Sequence, residues 1–176
     1  MSTRIVCTAS HFPLSYVIRY LTSSPVSHSM LQDPCELWGI DEIAEASVTG
    51  VIKIPAYKVR KHVVADFECL FDTKEAHRQI AKYLGDTYDV EGLFVYLWVK
   101  ALYRLFRCKV RKPLNNTKGQ FCSELIARFF MAAKLPGTES WDPELISPKD
   151  IAIYCLRHPE LFKVVTATKK VLALAT

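Results

Sequence analysis

The chain has 176 residues, half of them hydrophobic and 23% charged; that size and balance fit one domain spanning 1–176 with a real core, and exclude a largely disordered protein. The net charge is a modest +5, but Lys100, Arg104, Arg107, Lys109, Arg111, Lys112 and Lys118 fall together with no acid between 100 and 118, so the rest of the chain is at −2. Such a block suits an anionic membrane surface, an acidic polymer or nucleic acid; it equally suits a solvated helix end, where cations complement the macrodipole.

The N-terminal residues show no uninterrupted apolar run after a basic start and no small-residue cleavage site, so the expected location is cytoplasmic. Six scattered cysteines, Cys7, Cys35, Cys69, Cys108, Cys122 and Cys155, form no C-x-x-C pair, and no His pair has zinc spacing; neither a disulfide framework nor a metal site is expected.

In chain order, Ser2 to Cys7 reads as a strand, and Pro13 followed by LSYVIRYLTSS as a helix with proline in its first turn, stopped by Ser23, Ser24 and Pro25. VSHSMLQ reads as a strand. DEIAEASVTGVIKIP reads as a hairpin hinged at Thr49 and Gly50. HVVADFECL alternates, which puts Val63, Ala65, Phe67 and Cys69 on one face of a half-buried strand.

Asp72 or Thr73 can cap the next helix, with Ala76, Ile80, Ala81 and Leu84 as its inner stripe and Gly85 as its stop. After the turn DTYD, a helix from Val90 to Phe106 is apolar almost all round; Lys100 and Arg104 interrupt it, and it falls short of the roughly 20 residues of a bilayer span, so no transmembrane segment is expected. PLNNTKGQ is a loop. From Cys122, Leu125, Ile126, Phe129, Phe130 and Ala133 recur at helical spacing as far as the breaker Leu135-Pro136-Gly137, and SPKDIAIYCLRH begins a last short helix with a serine cap and proline next to it. Strands in the first 70 residues and helices after them predict an α+β domain.

Cys122 alone among the six cysteines opens a helical pattern after a polar, glycine-containing loop. A free thiol ionises near pH 8.5, and the unpaired N–H groups and dipole of a helix N-terminus favour the thiolate. The same N–H groups can form part of an oxyanion hole. The plain alternative is a packing residue beside Phe121, the commoner fate of a free cysteine. A nucleophile also needs a base, and there are five candidates. These are His11, His28, His62, His77 and His158: His77 lies in the polar run AHRQ and His158 beside Pro159, so both are expected to be exposed, and His62 follows Arg60 and Lys61, a poor setting for an imidazolium. His28, in SHSML, sits inside an apolar strand pattern that can aim it across the domain. Glu45, within IAEAS on the neighbouring strand, is placed to orient that imidazole, and Asp41 or Glu42 could do the same.

The order SHS in an early strand, EA about 17 residues later, GDTYD before a helix and FCSEL opening another helix resembles the circularly permuted papain-like amidases, a group related to bacterial cell-wall peptidases and to lecithin retinol acyltransferase. The likeness runs from about residue 3 to 165, with the late WDPELISPKD as a further shared feature. It departs between Asp33 and Ile43, where the glycine-bearing strand usual after the histidine is replaced by SMLQDPCELWG. The resemblance implies a papain-like fold of permuted topology, a small antiparallel sheet packed against helices. It also implies Cys122 as nucleophile, His28 as base, Glu45 as orienting residue, Tyr88 as a tyrosine reaching toward the oxyanion, and Ser123 and Glu124 as members of the substrate-side signature. No metal or organic cofactor is implied. The expected substrate is a peptide or peptidoglycan-type amide, with a lipid ester as the enzymatic alternative, and with a basic binding module carrying a vestigial site as the alternative of a different class. No specific nucleic acid partner is expected.

Overall fold

The structure, a computed structural model, describes residues 2–32, 42–47, 50–85 and 122–175, with the backbone alone at 42, 45–47 and 53. Its elements run β1 (Arg4–Thr8), α1 (Pro13–Thr22), β2 (His28–Gln32), β3 (Glu42–Ser47), β4 (Gly50–Pro55), β5 (Val63–Cys69), α2 (Lys74–Ala81), α3 (Cys122–Ala132), α4 (Pro148–Arg157), β6 (Phe162–Ala167) and α5 (Lys169–Leu172). Short 3-10 turns cover Ala56–Lys58, Arg60–His62 and Pro143–Leu145. All six strands join one antiparallel sheet in the order β4-β3-β2-β1-β5-β6. The fold is therefore mixed α and β, in keeping with the α+β expectation. The expected helix from 90 to 106, the turn before it, the loop after it and the basic block all lie outside the described residues.

The strict segregation of strands from helices does not hold, because β6 returns the chain to the sheet after α4. Its sequence gives little warning. Only Phe162 is fully buried, and Val164 and Val165 are exposed. An edge strand held by backbone pairing to β5 needs no buried face and so shows no alternation.

On one side of the sheet Ile5, Cys7, Leu31, Ala65 and Phe67 meet Ile80 of α2, Leu125, Ile126, Phe129 and Phe130 of α3, and Ile151 and Ala152 of α4. Phe130 lies at the centre of this layer, with ring centroids 5.2 Å from Phe162 and 5.3 Å from Tyr154. The other side carries a far smaller cluster, Val6, Met30, Ile43 and Ala56, flanked by Ile54, Val59 and Val63. Val63 does not share the face of Ala65, as plain alternation predicts. The β1–β5 register slips between Cys7, opposite Ala65, and Thr8, opposite Val63. The extra residue, Val64, turns to the helix side instead, the effect of a β-bulge.

Local signals position the helices. Pro13 stands at the start of α1, and Ser23 closes it in the left-handed region at φ 48°. Ser15 Oγ on α1 donates to Ser27 Oγ at 2.6 Å, and Ser27 N–H donates to Thr8 O at 3.0 Å, which fixes the entry to β2. At α2 the cap position is Thr73, whose side chain makes no cap bond; the preceding Asp72 Oδ1 accepts from Lys74 N–H at 3.0 Å instead. At α4 Ser147 and Asp150 form a capping box with Pro148 following the cap.

Two histidines expected at the surface are not there. The buried face of α2 is Ala76, His77 and Ile80; His77 is 1% exposed, 5.1 Å from the Phe129 ring, with Nε2 3.0 Å from Thr3 Oγ1. A hydroxyl just ahead of β1 lets an imidazole occupy a core position. His158 is half-buried, its ring 4.3 Å from Tyr154 and its Nδ1 2.8 Å from Glu160 Oε1.

Candidate active site

Cys122 is the first residue of α3. Leu125, Ile126, Phe129 and Phe130 seat that helix across the sheet, and Ser123 Oγ ties its first turn to the segment just before α4 by donating to Ile146 O at 2.7 Å. The start of α3 is thereby held over β2.

The thiol of Cys122 meets the imidazole of His28 there. Burial works against ionisation of Cys122, which is 7% exposed. The charge of His28, a hydrogen bond with its side chain, and the backbone N–H groups of Ser29 and Ser123 outweigh that cost, so the thiol titrates below its ordinary value. His28 keeps partial access to solvent.

Strict alternation along β2 would give His28 the face of Met30, away from α3. His28 is the terminal residue of the strand, however, and pairs with Thr8 at the point where the β1–β5 register slips. Its hydrogen bond with Cys122 nonetheless places the imidazole on the α3 side.

The other thiols provide the contrast. Cys7 lies opposite Ser29 in the β1–β2 ladder, beside the same site, yet burial, followed by the nearby Cys122 and Asp66, pushes its pKa up to about 12. Cys155 is also driven well up, first by burial and then by Cys7 and Cys69. Cys7, Cys69, Cys122 and Cys155 are all buried thiols outside any disulfide. Of Cys7, Cys122 and Cys155, it is Cys122, with a histidine and two N–H groups around it, that is pushed toward the thiolate.

The remaining candidate residues separate by position. The side chain of Ser123 is engaged with Ile146, so the part of this residue that faces the sulfur is its backbone N–H. Glu124 is 2% exposed and points along α3, where Oε1 accepts from Arg128 Nη2 at 2.7 Å and Nε at 3.2 Å. Glu45 lies on β3, the strand next to β2, opposite Ile52 of β4; its side chain is outside the described residues. Tyr88 and Asp41 lie outside them altogether.

Sequence reasoning did not find the amide of Ser29. It appeared there only as a neighbour of His28, and residue type carries no record of where a backbone N–H points. The Ser29 hydroxyl, also buried here, has no hydrogen-bond partner among the described residues. Among the described residues no group of three or more His, Cys, Asp or Glu is arranged to hold a metal ion, and no helix is long and apolar enough to cross a membrane.

A mixed α and β fold whose antiparallel sheet carries a thiol–imidazole pair at a helix N-terminus is the class that this geometry defines. Comparison with protein-family models, curated proteins and solved structures returns no match for the chain.

Proposed function

We propose that the protein is a cysteine-dependent hydrolase of the permuted papain-like kind, cleaving an amide bond in a peptide or peptidoglycan-type substrate. The observation that carries this reading is the meeting of the Cys122 thiol, at the first residue of α3, with the His28 side chain and the backbone N–H groups of Ser29 and Ser123, contacts that favour the thiolate.

In the proposed reaction His28 takes the Cys122 proton and the thiolate attacks the carbonyl carbon. Charge on the carbonyl oxygen is met by the N–H groups at the start of α3, and the Tyr88 hydroxyl is proposed as a second donor. The imidazolium then protonates the departing amine, which leaves a thioester on Cys122. Water, deprotonated by His28, cleaves that thioester and restores the thiol. Glu45, on the strand beside β2, is assigned to hold the His28 ring. Every step uses groups of this chain and water.

The test is the rate of iodoacetamide alkylation at each cysteine as pH is raised, read by mass spectrometry. Cys122 is expected to react first, with a midpoint below about 8.5. Slow alkylation of Cys122, no faster than that of Cys7 or Cys155, would remove the basis of the proposal. Peptide anilides and a fatty-acyl ester, offered in parallel, separate amide hydrolysis from lipid ester cleavage.

A further inference from the structure

α1 is turned the wrong way for a helix of a globular domain. Its one buried side chain is that of Ser15, whose Oγ donates to Ser27 Oγ at 2.6 Å, while Phe12 at its cap is 74% exposed, Tyr16 52%, Val17 45% and Tyr20 67%. At 3.6 residues per turn these four fall within about 140° of the helix circumference, so they form one face. Leu14, Ile18 and Leu21 are half-buried, which leaves Ser15, Arg19 and Thr22 as the polar residues of the helix. A helix of ten residues draws its stability from packing an apolar stripe rather than from propensity, and this one packs inward on a serine. A single exposed aromatic needs no explanation, but four large side chains on one face make a contact surface.

The surrounding charge has one sign. Residues 5–32 and 56–62 hold Arg19, Lys58, Arg60 and Lys61 and no Asp or Glu. The second segment adjoins the head of α1: Ala9 N–H donates to His62 O at 2.9 Å, the His11 and His62 rings are 5.8 Å apart, and His11 Nδ1 is 3.2 Å from the Tyr16 hydroxyl. Tyr57, Lys58, Arg60 and Lys61 are exposed there. On α1 itself the Arg19 guanidinium lies 4.6 Å over the Tyr16 ring. None of these four cations forms an ion pair among the described residues.

We infer that the exposed face of α1, with the adjoining 56–62 segment, docks on an anionic phospholipid surface. Phe12, Tyr16, Val17 and Tyr20 enter the boundary between headgroups and acyl chains, where tyrosine suits a ring buried in apolar surroundings and a hydroxyl kept wet. Arg19, Lys58, Arg60 and Lys61 meet lipid phosphates and carboxylates. Charge complementarity selects this occupant: an apolar surface alone makes no use of four unpaired cations, whereas an anionic bilayer gains from each one near it.

The experiment is co-sedimentation of the full chain with vesicles of phosphatidylcholine alone or with about 30% phosphatidylserine, paired with hydroxyl-radical footprinting read by mass spectrometry. The chain is expected to sediment with the anionic vesicles, and Phe12, Tyr16 and Tyr20 to lose oxidation when it does. Phe12→Ser, Tyr16→Ser and Tyr20→Ser combined, all at exposed positions, should weaken binding at least about tenfold. Arg60→Gln with Lys61→Gln should weaken it by about tenfold and flatten its salt dependence. Both variants keep the basic block at 100–118, so binding carried by that block would leave them unchanged. No binding to anionic vesicles, equal binding to both kinds, an unchanged affinity in the triple variant, or aromatics as readily oxidised on vesicles as off them would each overturn the inference. Cys122→Ala should bind vesicles as the parent chain does, so the surface stands or falls independently of the hydrolase proposal.

Discussion

Among the described residues, the helix side of the sheet buries Phe67, Phe129, Phe130 and Phe162 in one continuous layer, whereas the opposite side buries Val6, Met30, Ile43 and Ala56 beneath two short turns. The thick side spends its apolar area on holding α3 still, so that the Cys122 sulfur meets an imidazole and two N–H groups in a fixed arrangement. The thin side leaves a small open recess lined by Arg4, Arg60 and Asp66 beside its apolar residues. Within the thick side, Cys7 and Cys122 repeat the lesson at close range: both are buried, but burial alone makes a thiol inert, and the partners reverse it for Cys122 only.

The sharpest way to break this contrast is His28→Ala. Turnover should fall by about 10²–10⁴-fold, and the alkylation midpoint of Cys122 should move up toward that of its inert neighbours. The sign follows from the cause: His28 favours the thiolate, so its removal leaves burial to raise the pKa, and at neutral pH less thiolate remains. Glu45→Gln should cost less than His28→Ala; an equal or greater loss would contradict an orienting role.

Phe129→Ala, on the thick side, should cost about 3–5 kcal/mol in urea unfolding, because Phe71, His77 and Phe130 lose their ring partner and a cavity opens. A like-for-like pair refines the comparison: Ile126→Val on α3 should fall near the top of the usual range of about 0.5–1.5 kcal/mol, and Ile43→Val on the thin side near the bottom, where turns and solvent can close the gap. Equal costs would mean the two sides are packed alike. The smallest effect is expected at Ser147→Ala, about 1 kcal/mol, from loss of the α4 capping box.

Much of the local structure is legible in the residues. Proline at the head of α1, the serine cap of α4, the alternation of β5 and the apolar stripe of α3 are each written within a few neighbouring positions, because caps, proline geometry and amphipathic period are short-range effects. The failures have equally definite causes. β6 buries almost nothing along its length, His77 enters the core on a hydroxyl 74 positions away, and Val63 changes face because of a bulge against β1.

By itself the sequence determined that Cys122 opens a helix and that His28 ends up on a strand, because both follow from residue order and period. Only the tertiary structure decided that the two side chains meet, that Ser29 N–H joins them, and that Cys7 stays inert a strand away. Those outcomes depend on the register of β1 with β2 and on the seating of α3 over the sheet, which are set by packing between segments far apart in the chain and leave no local mark on the residues that benefit.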